Sequence, residues 1–373
     1  MKYYIIAGEA SGDLHGANLM KALLKQDTEA EFRFWGGDLM QAVSPTLVKH
    51  YRDLAFMGFL EVVMNLKTIT QNLALCKKDI ESYHPDVLIF IDYPGFNLRI
   101  AKWAKQKGFR THYYISPQIW AWKENRIHDI KRDVDKMYVI LPFEKSFYED
   151  KHHYPVEFVG HPLIDAIADR TQVTEIDFRT KHKLSDKPII ALLPGSRKQE
   201  IRKMLTVMLS VVKDFEAYQF VIAGAPSQDY EFYSNFIKKE NVSFVANQTY
   251  DLLSLSTAAL VTSGTATLET ALFKVPEVVC YKGSWISYQI AKRIINLDYI
   301  SLVNLIMDKP VVTELIQADF NTKRLKKELH AILETDKREA LFMEYFELEK
   351  KLGGKGASEK TARLIYTDLQ NIS

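Results

Sequence analysis

The residue best placed to do chemistry is Asp92, which ends a run of five apolar residues at 87–91 and precedes a Tyr-Pro-Gly turn. The run predicts a buried strand, and we expect the next helix to begin near Asn97. A carboxylate at the carboxyl end of a buried parallel strand faces the crevice where such sheets bind ligands. Little water reaches it there, so its pKa rises toward that of a general base. The alternatives are capping of the helix and pairing with Arg99, and we favour catalysis because an N-cap would lie nearer to the helix.

A second candidate site is the turn within the stretch KPIIALLPGSRKQEI, residues 187–201. An apolar run of strand length, a Pro-Gly-Ser break and helical spacing after it predict a strand, a tight turn and a helix. Such a turn directs backbone N–H groups and the positive end of the helix dipole at one point. Gly195 and Ser196 lie there, and Arg197 adds a full charge, so a phosphate or diphosphate suits that point. The alternative is an ordinary strand-to-helix turn with a solvated arginine.

The sequence TSGTATLE at 262–269 repeats this pattern of strand, glycine turn and helix. Ser263, Gly264 and Thr265 supply small hydroxyl groups and a helix N-terminus that can hold a diphosphate. Glu269, one turn into the helix, can accept hydrogen bonds from a ribose diol. Together with the turn after residue 193, this motif describes a nucleotide-sugar pocket.

The first glycine-rich stretch, GEASGDLHG at 8–16, follows an apolar strand and reads as a loop before a helix over 17–25. Its spacing fits neither the G-x-G-x-x-G dinucleotide motif nor the P-loop, which excludes those generic nucleotide motifs. Glycine lets the backbone approach a ligand, and the stretch lies where α/β sheets collect ligands. For each acidic residue alone, helix capping is the alternative. The residues that we assign to this site are Glu9, Ser11, Gly12, Asp13 and His15.

The composition of the chain limits the classes of protein to which it can belong. The chain has 373 residues, of which 47% are hydrophobic and 26% charged, as expected for a soluble globular protein with two domains. A net charge of +2 gives no support to nucleic acid as a partner. Two isolated cysteines, Cys76 and Cys280, make neither a disulfide framework nor a metal-ligand spacing. The sequence begins without signal-peptide features and has no apolar run of membrane-spanning length, so we expect a cytoplasmic protein whose membrane contact is peripheral.

Strand and helix patterns alternate in both halves of the chain and predict parallel sheets covered by helices. We expect an α/β domain at 1–165, a polar linker at 166–186 and a second α/β domain at 187–320. Amphipathic helices at 321–373 are expected to pack back on a domain or on a partner chain. One further run, 55–66, is richly apolar, and its periodicity does not decide between a core segment and an exposed patch.

These motifs resemble those of the lipid-A-disaccharide synthases, a family of glycosyltransferases of the two-domain GT-B type. The matching segments follow the family's order along almost the whole chain, as GEASGDLHGA, LAFMGFLEVV, PDVLIFIDYPGFNL, HYYISPQIWAWK, RIHDIKRDVDKMYVILPFE, FVGHPL, IALLPGSRKQEI, SGTATLE and NLIMDKPVVTELIQ. Two features depart from the family pattern. FWGGDLM lacks a fuller glycine-rich stretch, and Val303, Met307 and Asp308 replace the usual proline before Asn304 and small residues after it. The resemblance implies an α/β fold of two Rossmann-like domains facing across a cleft, with a helical C-terminal tail.

The resemblance also implies the reaction. The family joins UDP-2,3-diacylglucosamine to 2,3-diacylglucosamine 1-phosphate, inverting the anomeric carbon to give a β-1,6 disaccharide and UDP, with no cofactor or bound metal. Asp92 then matches the family's essential aspartate, which takes the proton of the acceptor hydroxyl. Arg197 and the two glycine turns would neutralise the leaving UDP.

The remaining sites follow from the same resemblance. Asn304, Glu314 and Gln317 fall in the donor-side motif, and the polar residues of 8–16 would line the acceptor side. Both substrates carry acyl chains, so the run at 55–66 becomes a lipid groove or a face that docks on the inner surface of the cytoplasmic membrane. A homodimer is left open.

Two rival functions remain at this point. A UDP-N-acetylglucosamine epimerase has the same two-domain architecture, but it has no lipid substrate and gives no reason for an exposed apolar run. A non-catalytic sensor of nucleotide sugars would need no base at Asp92.

Overall fold

The computed structural model describes residues 1–54, 66–225, 228–237, 242–283 and 298–371. The chain divides into two compact units. Unit 1 comprises Met1–Ala168 and Leu352–Ser373, and unit 2 comprises Asp169–Lys351. All but the last residue of the apolar run at 55–66 lies outside the described residues, so its role stays a prediction. Among the described residues, no helix is both long enough and apolar enough to cross a membrane.

Unit 1 is built on a sheet of seven strands. They are β1 Lys2–Ala7, β2 Glu31–Gly36, β3 Leu47–His50, β4 Val87–Ile91, β5 Thr111–Tyr114, β6 Lys136–Val139 and β7 Glu157–Phe158. Their order is β3-β2-β1-β4-β5-β6-β7, and every neighbouring pair is parallel. Helices cover both faces of a parallel sheet, so its inner strands are continuous apolar runs. Strand β4, VLIFI, is buried at every residue, as its sequence predicts.

The edge strands of this sheet were not predicted. Strand β3 has the sequence LVKH and is only partly buried, and β7 has two residues. An edge strand pairs on one side and needs little burial, so it leaves no apolar pattern in the sequence.

Helix α1 runs over Ala10–Gln26, so it begins earlier than the predicted start at Ala17. Most of the predicted loop at 8–16 is therefore the start of α1. Its glycines allow close packing instead, because a Cβ on Gly12 would lie 3.1 Å from the Cβ of Ala7, and one on Gly16 would lie 2.6 Å from the Sδ of Met40. The next helices of unit 1 are α2 Asp38–Gln41, α3 Leu66–Tyr83, α4 Pro94–Gln106, α5 Ile127–Asp133, α6 Pro142–Ser146 and α7 Pro162–Ala168.

Unit 2 is built on a sheet of six strands. They are β8 Ile189–Leu193, β9 Gln219–Gly224, β10 Val242–Ala246, β11 Ser256–Thr262, β12 Glu277–Tyr281 and β13 Thr313–Ile316. Their order is β10-β9-β8-β11-β12-β13, and every neighbouring pair is parallel. The helices of unit 2 among the described residues are α8 Glu175–His182, α9 Lys198–Met208, α10 Tyr230–Ser234, α11 Thr249–Ser254, α12 Thr265–Leu272, α13 Leu302–Met307, α14 Thr322–Leu333 and α15 Thr335–Lys351. Helix α8 forms within the stretch predicted as a linker.

The last helix, α16 Ala357–Gln370, packs against α1 and α7 of unit 1. The carboxylate of Asp165 accepts hydrogen bonds from the backbone N–H groups of Gly356, at 2.6 Å, and Ser358, at 3.0 Å. Farther along the helix, Asp368 lies 3.0 Å from Nε2 of the buried His112 on β5. Polar contacts thus fix both ends of α16 on the rest of unit 1.

Each sheet has one point where the strand order reverses, between β1 and β4 in unit 1 and between β8 and β11 in unit 2. In open α/β sheets, ligands bind outside the carboxyl ends of the strands at such a switch point. Glu9 and Asp92 follow β1 and β4, and the two glycine turns follow β8 and β11. The topology therefore places Glu9, Asp92 and the two glycine turns at the carboxyl edge of their sheets.

Candidate active site

Asp92 lies directly after β4 and adopts an unusual backbone conformation. Its φ is +43° and that of Tyr93 is +49°, so two consecutive residues other than glycine are left-handed. Such strain persists only where surrounding contacts hold it, and it is concentrated at functional sites. Helix α4 begins at Pro94 with Tyr93 as its N-cap, rather than near Asn97 as predicted, because proline suits the first helical position.

The carboxylate of Asp92 does not pair with Arg99. The Nη1 of Arg99 donates instead to the carbonyl oxygen of Gly95 at 2.8 Å. Because the N-cap position belongs to Tyr93, Asp92 is also not the cap residue of α4. Neither alternative that the sequence left open describes this side chain.

Two buried donors hold the turn at Asp92. The Nδ2 of Asn97 donates to the carbonyl oxygen of Asp92 at 2.7 Å, and the hydroxyl of Tyr113 donates to the same oxygen at 2.6 Å. Both side chains are fully buried. Sequence reasoning did not assign either residue to the site, although each lies on an element next to the turn. They fix the left-handed backbone and so aim the carboxylate.

The electrostatics of the turn suit a general base. Burial, together with the negative charge of Glu9, raises the pKa of Asp92 to about 6, although a hydrogen bond from the backbone N–H of Tyr93 opposes this shift. Glu9 is exposed and precedes α1. The structure therefore brings together two of the predicted site residues, Glu9 and Asp92.

The other predicted residues of this stretch lie inside helix α1. Asp13 is buried, and its carboxylate accepts hydrogen bonds from the backbone N–H groups of Gly37, at 2.7 Å, and of Leu39 and Met40, each at 3.0 Å. Its oxygens therefore hold the start of α2 against α1. Ser11 is exposed, and Gly12 packs on β1.

His15 is nearly buried, and sequence reasoning overlooked the histidine beside it. Burial lowers the pKa of His15 to about 4. Burial, together with the proximity of His15, lowers the pKa of His161 to about 3. The two imidazoles are therefore neutral at physiological pH. The segment FVGHPL was the available signal for His161.

Unit 2 has a cavity of about 290 Å³ at its switch point. It is lined by Leu193, Pro194, Gly195, Ser196, Glu200, Ala223, Gly224, Ala225, Thr249, Thr262, Ser263, Gly264, Thr265, Ala266 and Glu269. Both glycine turns thus line one cavity, and the assignment of this cavity to a nucleotide sugar stays a prediction. Thr262 also lines it, is 4% exposed, and has no hydrogen-bond partner for its Oγ1 among the described residues. Such an orphaned hydroxyl indicates a polar ligand.

Gly264 has a φ of +147°, a backbone conformation that residues other than glycine rarely adopt. No atom of the described residues lies within 4 Å of the position that a Cβ would take, so this turn requires glycine for its backbone and not for space. Gly264 is the N-cap of α12, so the backbone N–H groups at the start of this helix face the cavity edge. Arg197 is exposed at the N-cap of α9 and is not one of the lining residues. Its neighbour in sequence, Ser196, does line the cavity.

Glu269 forms a pair that sequence reasoning did not predict. The hydroxyl of Tyr250 donates to Oε1 of Glu269 at 2.8 Å. Burial raises the pKa of Glu269, and the hydrogen bond from Tyr250 opposes that shift. Tyr250 thereby orients a partly buried carboxyl group that lines the cavity.

Asn304 and Glu314 brace the loop before α13. Glu314 accepts hydrogen bonds from the backbone N–H groups of Ile300 and Ser301, at 3.0 and 2.9 Å, and from Nδ2 of Asn304, at 3.0 Å. The carbonyl oxygen of Ile300 accepts a hydrogen bond from Ser263 Oγ at 2.9 Å. The brace therefore reaches the cavity through Ser263, while neither Asn304 nor Glu314 lines it.

Gln317 directly follows β13 and has a φ of +53°. Its backbone N–H donates to the carbonyl oxygen of Tyr281 at 2.8 Å, and its buried Nε2 has no partner among the described residues. Among those residues, no cluster of three or more His, Cys, Asp or Glu side chains could hold a metal ion.

Known proteins match nearly the whole chain. A family model described as lipid-A-disaccharide synthetase matches residues 3–365. The lipid-A-disaccharide synthase of Syntrophus aciditrophicus is 40% identical over 371 residues, which cover 97% of this chain and 96% of the relative. That of Idiomarina loihiensis is 38% identical over 379 residues, which cover 99% and 98%.

Solved structures match the fold. The MnaA–UDP structure from S. aureus has a TM-score of 0.70 at 14% identity and covers 99% of this chain and 97% of its own. A structure described as the glycotransferase of kitacinnamycin has a TM-score of 0.64 at 13% identity, with 98% of each chain covered. At these identities the likeness extends to the fold alone. It confirms the predicted GT-B type of fold, with a Rossmann-like parallel sheet in each of two domains.

Proposed function

Because this chain belongs to the lipid-A-disaccharide synthase family of glycosyltransferases, we propose that it joins UDP-2,3-diacylglucosamine to 2,3-diacylglucosamine 1-phosphate. The products are the β-1,6-linked disaccharide 1-phosphate and UDP. The observation that carries the catalytic part is the strained turn that presents Asp92 at the switch point of unit 1 and is held by the buried side chains of Asn97 and Tyr113. The epimerase alternative is not favoured. The structure of a UDP-GlcNAc 2-epimerase bound to UDP-GlcNAc is 14% identical in sequence to this chain, and at that identity the likeness extends to the fold alone.

Asp92 acts as the general base. Its carboxylate takes the proton of the acceptor 6-hydroxyl, the oxygen attacks the anomeric carbon, and the bond from that carbon to the UDP oxygen breaks. Attack on the face opposite the leaving group inverts the configuration. A pKa of about 6 leaves the carboxylate ionised at neutral pH yet more basic than an exposed aspartate, which favours proton transfer.

The cavity of unit 2 binds the UDP part of the donor. The backbone N–H groups at the starts of α9 and α12 receive the diphosphate, and the hydroxyl of Thr262 offers a further donor. Arg197 turns toward the leaving diphosphate and stabilises its charge as the bond breaks. Glu269, oriented by Tyr250, accepts hydrogen bonds from the ribose diol.

The remaining predicted residues divide into two groups. Glu9, Ser11 and His15 contribute to the acceptor side near Asp92, with Gly12 and Asp13 holding α1 in place beneath them. Asn304 and Glu314 act on the donor side through the backbone at 300–301 and Ser263. Gln317 contributes its unpartnered Nε2.

We further propose that the protein associates peripherally with the inner face of the cytoplasmic membrane. Both substrates carry acyl chains, which partition into a bilayer. The run at 55–66 is the segment whose composition suits this contact. Flotation of the protein with vesicles tests the association, and the mass of the particle in solution decides whether a homodimer forms.

Product analysis tests the function. Purified protein is mixed with both diacylated substrates, and the disaccharide and UDP are measured with and without a chelator. Formation of both products in equal amounts supports the transferase, and omission of the acceptor is the control. Turnover of UDP-N-acetylglucosamine alone would support the epimerase instead, and UDP binding without any turnover would support the sensor.

A further inference from the structure

An acidic side chain lies at the turn that would receive the diphosphate. Glu200 is in the first turn of α9 and lines the cavity of unit 2. Its Oε2 accepts a hydrogen bond from the backbone N–H of Ser196 at 3.3 Å. The same oxygen lies over Gly195, where an added Cβ would be 2.3 Å from it. Glycine at 195 therefore leaves room for a carboxylate.

That position suits a phosphate oxygen for the same physical reasons. It combines a backbone N–H at a helix start with a glycine whose φ of +100° keeps the turn open. The cavity beside it holds an independent sign of a polar ligand, the buried and unpartnered hydroxyl of Thr262. Both a carboxylate and a phosphate accept hydrogen bonds through negatively charged oxygens.

We propose that Glu200 is an internal anion that occupies the diphosphate position of the unliganded protein and must move aside when a nucleoside diphosphate binds. The proposal rests on the proposed function, in which this cavity binds UDP. Two like charges repel at such short range, so the diphosphate and the Glu200 carboxylate exclude each other. Once UDP is the product, return of Glu200 to the turn favours its release.

If Glu200 were only a helix cap, it would accept the same hydrogen bond from Ser196. The two roles differ in whether the negative charge of Glu200 opposes the binding of a diphosphate. Glu200→Gln keeps an oxygen that accepts from the N–H of Ser196, so the cap and the fold are retained, but it removes the negative charge. Glu231→Gln is the matched control, because it removes one charge from an exposed position of α10 that does not line the cavity.

Calorimetric titration with UDP and with uridine tests the proposal. Competition predicts that Glu200→Gln binds UDP roughly three- to tenfold more tightly than the wild type, with uridine binding unchanged because uridine has no phosphate. The Glu231→Gln control should match the wild type for both ligands. Equal or weaker UDP binding by Glu200→Gln would overturn this inference alone. Failure of the folded wild type to bind UDP would overturn the proposed function, and this inference with it.

Discussion

The side chain of Asn97 donates from Nδ2 to the carbonyl oxygen of Asp92 at 2.7 Å, from the first turn of the helix that the Asp92 turn introduces. The same Nδ2 lies 3.3 Å from the carbonyl oxygen of Ile91. One buried amide thus ties the end of β4 to the start of α4. This contact gives a left-handed turn of two non-glycine residues a fixed geometry.

Replacing this amide should impair catalysis more than substrate binding. Asn97→Ala removes a buried donor from the carbonyl oxygens of Ile91 and Asp92 and leaves the Tyr113 hydroxyl as the side-chain donor to the latter, which should lower the free energy of unfolding by about 1–3 kcal/mol. With the carboxylate less well aimed, kcat should fall by about tenfold or more while KM changes little. Tyr113→Phe removes the second donor to the same oxygen and should have a smaller effect of the same kind.

Steady-state kinetics and thermal unfolding together check this prediction. Asn125→Ala, at an exposed position of unit 1, is the control and should change neither quantity. A loss of stability in Asn97→Ala with kcat fully retained would show that the amide is structural only.

The raised pKa of Asp92 predicts a pH dependence of activity. Ionisation of the free enzyme's base at about 6 should make kcat/KM fall about tenfold per pH unit below that value and level off above it. A value of kcat/KM that stays constant from about pH 5 to about pH 8, a range that includes the expected midpoint, would contradict the role of Asp92 as the base.

The same shift predicts a pH-dependent effect on stability. The folded pKa lies above the ordinary value, so the folded state binds more protons between about 4 and 6 and loses stability as pH rises through that window. Asp92→Asn cannot ionise, so it should raise the free energy of unfolding by about 1–3 kcal/mol at pH 8 and by little at pH 4. Denaturant unfolding at both pH values checks this, with Asp150→Asn at an exposed position as the control.

Glu269 should make the protein bind nucleotides that have both ribose hydroxyls more tightly than nucleotides that lack them. The wild type is expected to bind UDP about tenfold more tightly than its 2′,3′-dideoxy analogue, because each hydroxyl donates to a charged acceptor. Glu269→Gln removes that charge and should lose most of this preference, and Tyr250→Phe should lose part of it by freeing the carboxyl group. Competitive titration with both nucleotides checks the result. An unchanged preference in Glu269→Gln would place the ribose elsewhere.

Sequence patterns predicted the parts of this fold that depend on continuous apolar runs. Strand β4 and the position of Asp92 after it follow from five apolar residues, and β8 with its glycine turn follows from a similar run. The start of α1 was wrong because Gly12 and Gly16 suggested a loop, whereas they serve close packing within a helix. Spacing along the chain does not reveal which atoms a glycine approaches in three dimensions.

The contacts that support the site were harder to predict. Asn97 and Tyr113 meet at one carbonyl oxygen only because α4 directly follows β4 and because β5 pairs with β4 in the sheet. The sequence around Glu200 does not show whether this side chain is solvated or accepts a hydrogen bond from the turn at Ser196, as it does in the structure. Such roles depend on tertiary proximity between residues that local patterns treat separately.

The most direct test of the account is the Asp92→Asn variant, measured for both turnover and UDP binding. Loss of the base should lower kcat by about 10²–10⁴-fold, because the amide cannot accept the hydroxyl proton. Its dissociation constant for UDP should stay within about twofold of the wild type, since a neutral and nearly isosteric change leaves the UDP contacts intact. Asp150→Asn should match the wild type in both measurements. Full turnover by Asp92→Asn would contradict the assignment of the base and the mechanism built on it.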